Sequence, residues 1–267
     1  MERVNFKTAK RIVIKVGTST LTYDTGKVNY RRFEDLARII SDLVNQGKEI
    51  ILVSSGAISV GADKMHLTQR PTTVEEKQAA AAVGQCELMN VYARAFGHYN
   101  HLVGQILLSV NIVENETGKI NVINTFQSLL NKGIIPIVNE NDSVSTEEIK
   151  FGDNDSLSSV VAVLTKADLL IILSDIDGLY NDNPKTNPDA TLIEKVYEVT
   201  EELEKISGGS GSNRGTGGMQ TKIHAADKAM RKGISTVITN GAKPDKIYEI
   251  LAGKEIGTFF VGGSGQK

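Results

Sequence analysis

The sequence predicts an α/β protein with a mostly parallel central sheet and helices on both of its faces, and two observations carry that prediction. Short apolar runs rich in Ile, Val and Leu recur along the chain, and helix-period segments lie between most of them. The runs are Arg11–Val16, Glu49–Val53, Leu102–Leu108, Ile134–Val138, Leu169–Leu173 and Thr236–Thr239. Nearly continuous apolar runs of this length suit strands covered on both faces. The helical segments are Tyr30–Gln46, Val74–Tyr99, Val122–Asn131, Asp155–Lys166, Gly218–Lys232 and Pro244–Leu251. Gly47, Gly133 and Gly233 stand where three of the helical segments should stop. Alternation of strand and helix implies parallel strands joined by crossover helices.

The 267 residues are expected to form one domain, 1–267, without repeats or an interdomain linker. The one low-complexity stretch, SGGSGSNRGTGG at Ser207–Gly218, reads as a flexible linker or as a mobile loop over a substrate. Its shortness, and the helix it runs into, favour the loop. Gly262–Lys267 is expected to fray.

Composition excludes several function classes. A net charge of −2 and a pI of about 6.1 leave no electrostatic footprint for nucleic acid or an anionic membrane. Trp is absent and aromatic residues are few, which argues against a base-stacking platform. No apolar stretch approaches the ~20 residues that span a bilayer, and Met1–Lys10 carries no signal-peptide pattern. The single cysteine, Cys86, cannot form an intramolecular disulfide and fits a reducing, cytoplasmic setting.

Ligands of open parallel sheets bind beyond the carboxyl ends of the strands, so the residues after each apolar run are informative. Four runs end in small, polar or acidic residues: Gly17, Thr18, Ser19 and Thr20; Ser54, Ser55 and Gly56; Asn139, Glu140, Asn141 and Asp142; Ser174, Asp175 and Asp177. Loops are polar in any case, but Gly, Ser, Asn and Asp, rather than Lys and Glu, suit a ligand edge.

Lys15 lies inside a strand, between Ile14 and Val16. Either it snorkels to solvent at the strand's edge, or it is buried and requires an anion; Gly17 at the strand end favours the anion. SSGAISVG at Ser54–Gly61 reads as strand, glycine turn and helix, whose first N–H groups suit a carboxylate or phosphate or simply close a tight turn. Asn139–Asp155 gathers Asp142, Asp153, Asn154 and Asp155 around a short excursion. One of Asn154 and Asp155 would suffice as a helix cap. The additional acids suit an α-amino group, lysines or Mg²⁺. TGGMQTK at Thr216–Lys222 joins the glycine-rich loop to a helix, with Lys222 one turn in. This pattern suits phosphate oxygens at the helix N-terminus.

Other chemistries lack their motifs. The sequence has no G-x-x-x-x-G-K-[ST], no protein-kinase H-R-D or D-F-G, no G-x-G-x-x-G and no H-E-x-x-H. His66, His98, His101 and His224 are scattered and suit packing or exposed roles better than a metal.

Together these segments resemble the amino acid kinase family, and within it the branch that phosphorylates the side-chain carboxylate of glutamate. The resemblance runs through KVGTSTLT (Lys15–Thr22), SSGAISVG (Ser54–Gly61), KQAAAAVGQCELM (Lys77–Met89), NENDSVS (Asn139–Ser145), FGDNDSLS (Phe151–Ser158), SDIDGLY (Ser174–Tyr180) and TGGMQTK (Thr216–Lys222). The Lys-Val-Gly-Thr-Ser at the first lysine differs from the Lys-x-Gly-Gly of N-acetylglutamate kinases, the Ser-Gly-Glu of uridylate kinases and the Gly-Gly-Asn of carbamate kinases.

The resemblance implies a three-layer αβα sandwich, the amino acid kinase fold. It implies catalytic roles for Lys15 and Lys222 on the transferring phosphate, with Asp155 orienting both. Ser55, Gly56, Asn139, Asp142 and Asn154 would bind L-glutamate. Lys15, Gly17, Thr18, Ser174, Asp175, Thr216, Gly217, Gly218, Met219 and Lys222 would bind ATP. Mg²⁺ is expected on the ATP phosphates rather than on protein side chains. The product would be L-glutamyl 5-phosphate, the first intermediate of proline biosynthesis, handed to a glutamyl phosphate reductase. Feedback inhibition by proline and a homo-oligomer are further implications. Many members carry a C-terminal PUA domain, and this sequence ends soon after a strand expected at Ile256–Val261; no PUA domain is expected. Another carboxylate or nucleotide kinase of the same fold, and a catalytically inactive sensor, are the competing readings.

Overall fold

The computed structural model describes residues 6–109, 115–144, 154–184, 186–207 and 218–263. Among them, eight strands form one sheet: β1 (Arg11–Val16), β2 (Glu49–Ser54), β3 (Val103–Leu108), β4 (Ile135–Glu140), β5 (Leu169–Ser174), β6 (Lys195–Val196), β7 (Ser235–Asn240) and β8 (Thr258–Phe260). Their order is β3-β4-β2-β1-β5-β7-β8-β6. Every pairing is parallel except that of β7 with β8.

The helices are α1 (Thr18–Leu21), α2 (Tyr30–Asn45), α3 (Ala57–Lys64), α4 (Val74–Gly97), α5 (Glu116–Asn131), α6 (Asn154–Thr165), α7 (Glu201–Ser207), α8 (Met219–Met230) and α9 (Lys246–Leu251). Several begin at side-chain caps. Asn29 and Asn115 accept first-turn N–H groups, and Thr73 with Glu76 forms a capping box at α4. Gly47, Gly133 and Gly233 follow helices at φ of 85°, 67° and 77°, the left-handed stop expected from the sequence.

Alternation along the strands divides the core in two. Ile12, Ile14 and Val16 of β1, Ile50 and Leu52 of β2 and Leu169, Ile171 and Leu173 of β5 pack with α2, α4 and α9. Val13, Ile51, Val53, Leu170 and Ile172 face the other way, onto α5, α6 and α8. This is the period-2 geometry of strands buried on both faces. Each fully buried aliphatic side chain contributes about 1.5–3 kcal/mol of transfer free energy. Lys15, two residues after Val13, lies on the face covered by α6 and α8.

Beyond the expected elements, the structure adds the four-residue helix α1, the two-residue strand β6 and the short helix α7. β6 is too short to carry periodicity, and α7 is too acidic to show an apolar stripe. The helix expected from Val122 starts earlier, at Glu116, because Asn115 caps it. The loop expected at Ser207–Gly218 and the end expected to fray lie almost wholly outside the described residues.

Candidate active site

The carboxyl ends of β4, β2, β1 and β5 are adjacent in the sheet, so four of the polar strand ends form one continuous edge. The chain leaves β1 towards β2 on one side, and the sheet continues from β1 to β5 on the other. This reversal of strand order is the crevice in which open α/β sheets bind ligands.

On one side of the crevice, two lysines share one buried carboxylate. Lys15 Nζ is 2.7 Å from Asp155 Oδ1, and Lys222 Nζ is 3.0 Å from Asp155 Oδ2. Asp155 is fully buried, and each lysine side chain is only 7% exposed. The Thr221 hydroxyl, 2.9 Å from Asp155 Oδ2, adds a further polar contact. Burial by itself would raise the Asp155 carboxyl; the charges of Lys15 and Lys222 outweigh it and hold the group well below the usual carboxylate range. Two lysine side chains converging on one buried carboxylate gather positive groups at this end of the crevice, a setting that suits an anionic ligand.

The three residues converge from three elements. Lys15 comes from β1, Asp155 from the first turn of α6, and Lys222 from the first turn of α8. The N-terminus of α8 has Gly218 as its cap residue, with no side-chain capping bond. Its backbone N–H groups therefore join the lysines in presenting positive potential. The Met219 side chain is packed in the core, leaving its main chain at the helix start. Gly17 follows Lys15, and a Cβ built on Gly17 would lie 3.5 Å from Lys15 Nζ. The missing side chain thus keeps the approach to the ammonium open.

On the other side lies a cavity of about 710 Å³, lined in part by Thr18, Ser55, Gly56, Asn139, Asp142 and Asn154. Gly56 holds φ at 105° and serves as the cap residue of α3, so the chain turns sharply from β2 into that helix. Ala57, Ile58 and Ser59 of the first turn line the cavity. Asn154 Nδ2 lies 2.9 Å from Ser55 Oγ, 2.8 Å from Asn139 Oδ1 and 3.2 Å from the Ser54 carbonyl. Among the described residues, the buried oxygens Asn154 Oδ1 and Asp142 Oδ1 have no hydrogen-bond partner. Burial pushes the Asp142 carboxyl up to about 6. Two buried acceptors without partners are costly by themselves and match an ammonium.

The two sides meet because Asn154 and Asp155 are consecutive in α6 and Gly17 and Thr18 follow Lys15. Ser174 and Asp175 end β5 beside β1, where the Ser174 hydroxyl donates to Asp175 Oδ1 at 3.1 Å. Thr216, Gly217 and Asp153 lie outside the described residues. Among the described residues, no group of three or more His, Cys, Asp and Glu side chains is arranged to hold a metal ion. No described helix is long and apolar enough to cross a membrane.

The structure also brings in residues not singled out from the sequence. Gln85 of α4 accepts from Asn139 Nδ2 at 2.9 Å, and Tyr92 pairs with Ser54 Oγ at 2.8 Å. Burial pushes the Tyr92 hydroxyl well above its ordinary range. The signal for Gln85 was present: it occupies the buried stripe Ala81, Gly84, Gln85, Leu88 and Tyr92, where an amide is out of place in an apolar row.

Known proteins resemble this chain along nearly its whole length. The model of the amino acid kinase family matches residues 10–240. The chain is 56% identical to "Glutamate 5-kinase" of Clostridium perfringens (strain 13 / Type A) over 268 aligned positions, covering 99% of this chain and 100% of that protein. It is 52% identical to "Glutamate 5-kinase" of Listeria monocytogenes (serovar 1/2a) over 262 positions, covering 97% of this chain and 95% of that one. The solved structure of carbamate kinase from Giardia lamblia bound to AMP-PNP superposes with a TM-score of 0.67 at 16% identity, covering 96% of this chain and 100% of that chain. That likeness speaks to the fold alone.

Proposed function

The chain belongs to the amino acid kinase family, and from that premise we propose that it transfers the γ-phosphoryl group of ATP to the γ-carboxylate of L-glutamate. The reaction is the opening step of proline biosynthesis, and its product is L-glutamyl 5-phosphate. The observation that carries the reading is the placement of two lysines on the two oxygens of one buried carboxylate, beside a cavity with two unpaired buried acceptors.

The chemistry suits those groups. A γ-carboxylate oxygen forms the new bond to phosphorus as the bond to the β,γ-bridging oxygen breaks, and ADP leaves. The nucleophile is already ionised at neutral pH, so no general base is needed. The difficulty is charge, because two anions must meet and the transition state spreads negative charge over the phosphoryl oxygens. Lys15 and Lys222 answer that difficulty as fixed positive groups, and Asp155 holds them without reorganisation. Mg²⁺ would arrive on the ATP phosphates, as part of the nucleotide substrate.

The acceptor is oriented by charge at its other end. Asp142 and Asn154 Oδ1 would take the α-ammonium. Ser55 Oγ accepts from Asn154, so its proton is available to a carboxylate, and the first N–H groups of α3 after Gly56 would support the same anion. Ser174, Asp175, Gly17, Thr18 and the segment Thr216–Lys222 would line the ATP site. Inhibition by proline in the acceptor cavity, a homo-oligomeric assembly, cytoplasmic residence and transfer of the labile acyl phosphate to a reductase belong to the same proposal.

The test uses hydroxylamine, which traps an acyl phosphate as a coloured hydroxamate. Purified protein is incubated with ATP and Mg²⁺ and, separately, L-glutamate, L-aspartate, N-acetyl-L-glutamate or no acceptor. Hydroxamate with glutamate alone, lost in Lys15→Ala and Lys222→Ala, is the expected result. Signal with another acceptor moves the substrate. No signal from folded, ATP-binding protein overturns the reading.

A further inference from the structure

We propose that Gln85 is a positioning residue for the amino acid acceptor. It accepts from Asn139 Nδ2 and so completes the chain of amide bonds, from the Ser54 carbonyl through Asn154 and Asn139, that holds Asn154 with an oxygen presented to the substrate's ammonium. The inference rests on the acceptor reading above and deepens it.

The argument follows hydrogen-bond polarity. Asn154 Nδ2 faces the Ser54 backbone carbonyl, which can only accept. This pins Asn154 with its nitrogen towards β2 and its buried oxygen, without a partner among the described residues, turned elsewhere. Asn139 must then offer Oδ1 to Asn154 Nδ2, at 2.8 Å. Its own Nδ2 therefore points the other way and needs an acceptor, which Gln85 Oε1 supplies at 2.9 Å. Gln85 is 9% exposed, Asn139 2% and Asn154 2%, so water cannot readily replace a missing partner. With no acceptor at position 85, Asn139 Nδ2 is left buried without its partner, and rotating the amide only sets that nitrogen against Asn154 Nδ2. Either arrangement weakens the bonds that hold Asn154 towards β2, and with them the placement of its oxygen for the ligand.

Close helix packing allows Gln85 to reach the site. A Cβ on Gly84 would lie 1.8 Å from the Ala57 carbonyl oxygen, and one on Gly61 would lie 1.8 Å from that of Ala80. The bare backbones of α3 and α4 are therefore in contact one residue before Gln85, which meets Asn139 of β4.

The test measures KM for glutamate and for ATP separately in Gln85→Met, which keeps the side chain's length and removes the acceptor. Gln85→Glu, which keeps an acceptor in the same place, is measured alongside. Gln85→Met is expected to raise KM for glutamate about tenfold while KM for ATP stays within about twofold. Gln85→Glu is expected to restore most of the loss. In an Asn139→Ala background, Gln85→Met should have no further effect, because Gln85 acts through Asn139. An unchanged glutamate KM, equal rises in both KM values, or an undiminished effect in the Asn139→Ala background overturns the proposal. If Gln85→Met fails to fold, Gln85→Ala is read by the same criteria. Wild-type protein that forms no hydroxamate from glutamate would instead overturn the underlying acceptor reading.

Discussion

Lys15 of β1 reaches across the sheet edge to Asp155 at the start of α6, with 2.7 Å between ammonium and carboxylate and almost no exposure of either. The same carboxylate holds Lys222 from α8, so strand and both covering helices meet at one charged point inside an otherwise apolar layer. Removing one member of such a cluster strands the others, at a cost of about 3–5 kcal/mol.

Asp155→Asn keeps the shape and removes the charge that separates the two ammoniums. Turnover in the hydroxamate assay should fall about 10²–10³-fold, and a loss of less than about fivefold would refute the role. The stability contribution has a defined pH window. Its folded pKa is depressed, so the contribution is complete above the unfolded value near 4. It is lost as pH falls through the folded value, so the wild type should become more acid-sensitive than expected from its other carboxylates. In urea titrations, the stability difference between wild type and Asp155→Asn should stay constant from pH 7 to about 4 and begin to narrow below that.

Asp142 behaves in the opposite sense. Its carboxyl, raised to about 6 by burial, binds more protons in the folded than in the unfolded state between pH 4 and 6. Stability of the ligand-free protein therefore drops as pH rises through that window and stays lower above it. Asp142→Asn should be more stable than wild type at pH 7.5 without glutamate, by on the order of 1–2 kcal/mol. It should also bind glutamate much more weakly. In the wild type, KM for glutamate should rise as pH falls below about 6. A flat KM profile from pH 5 to 8 would remove Asp142 from ammonium binding.

Gly84→Ala places a methyl group 1.8 Å from a backbone oxygen that cannot rotate away. Helices α3 and α4 must separate, and a loss of about 2–4 kcal/mol is expected in equilibrium urea unfolding. A loss below about 1 kcal/mol would mean that the two helices can part without consequence.

Gly17→Ala separates folding from ligand approach. The new methyl would make ordinary contact with Lys15 Nζ at 3.5 Å, and the backbone φ there is −84°. The fold should be unaffected, with a melting temperature within about 2 °C of wild type. KM for ATP should rise about tenfold because the methyl occupies the phosphate's path to the ammonium. Unchanged ATP kinetics would place the phosphates elsewhere.

The apolar runs and the glycine stops made the sheet and its helices legible in the sequence alone. Burial on both faces imposes near-continuous Ile, Val and Leu, and a helix that ends in a left-handed residue favours Gly. Lys15 was legible as an anomaly because charge within a core strand requires compensation; local pattern did not give its partner, and the resemblance named Asp155. Tertiary structure supplied the contact itself, Asp155 between Lys15 and Lys222, because those groups come from β1, α6 and α8 and no local spacing encodes the meeting. It also decided the placement of Gln85, whose hydrogen bond spans 54 positions to Asn139. The antiparallel pairing of β8 was hidden for a related reason: strand direction follows from the route of the connection, which three residues of strand do not record. Local patterns report which surfaces must be buried, while the identity of the partner that buries or neutralises them depends on how distant segments are brought together.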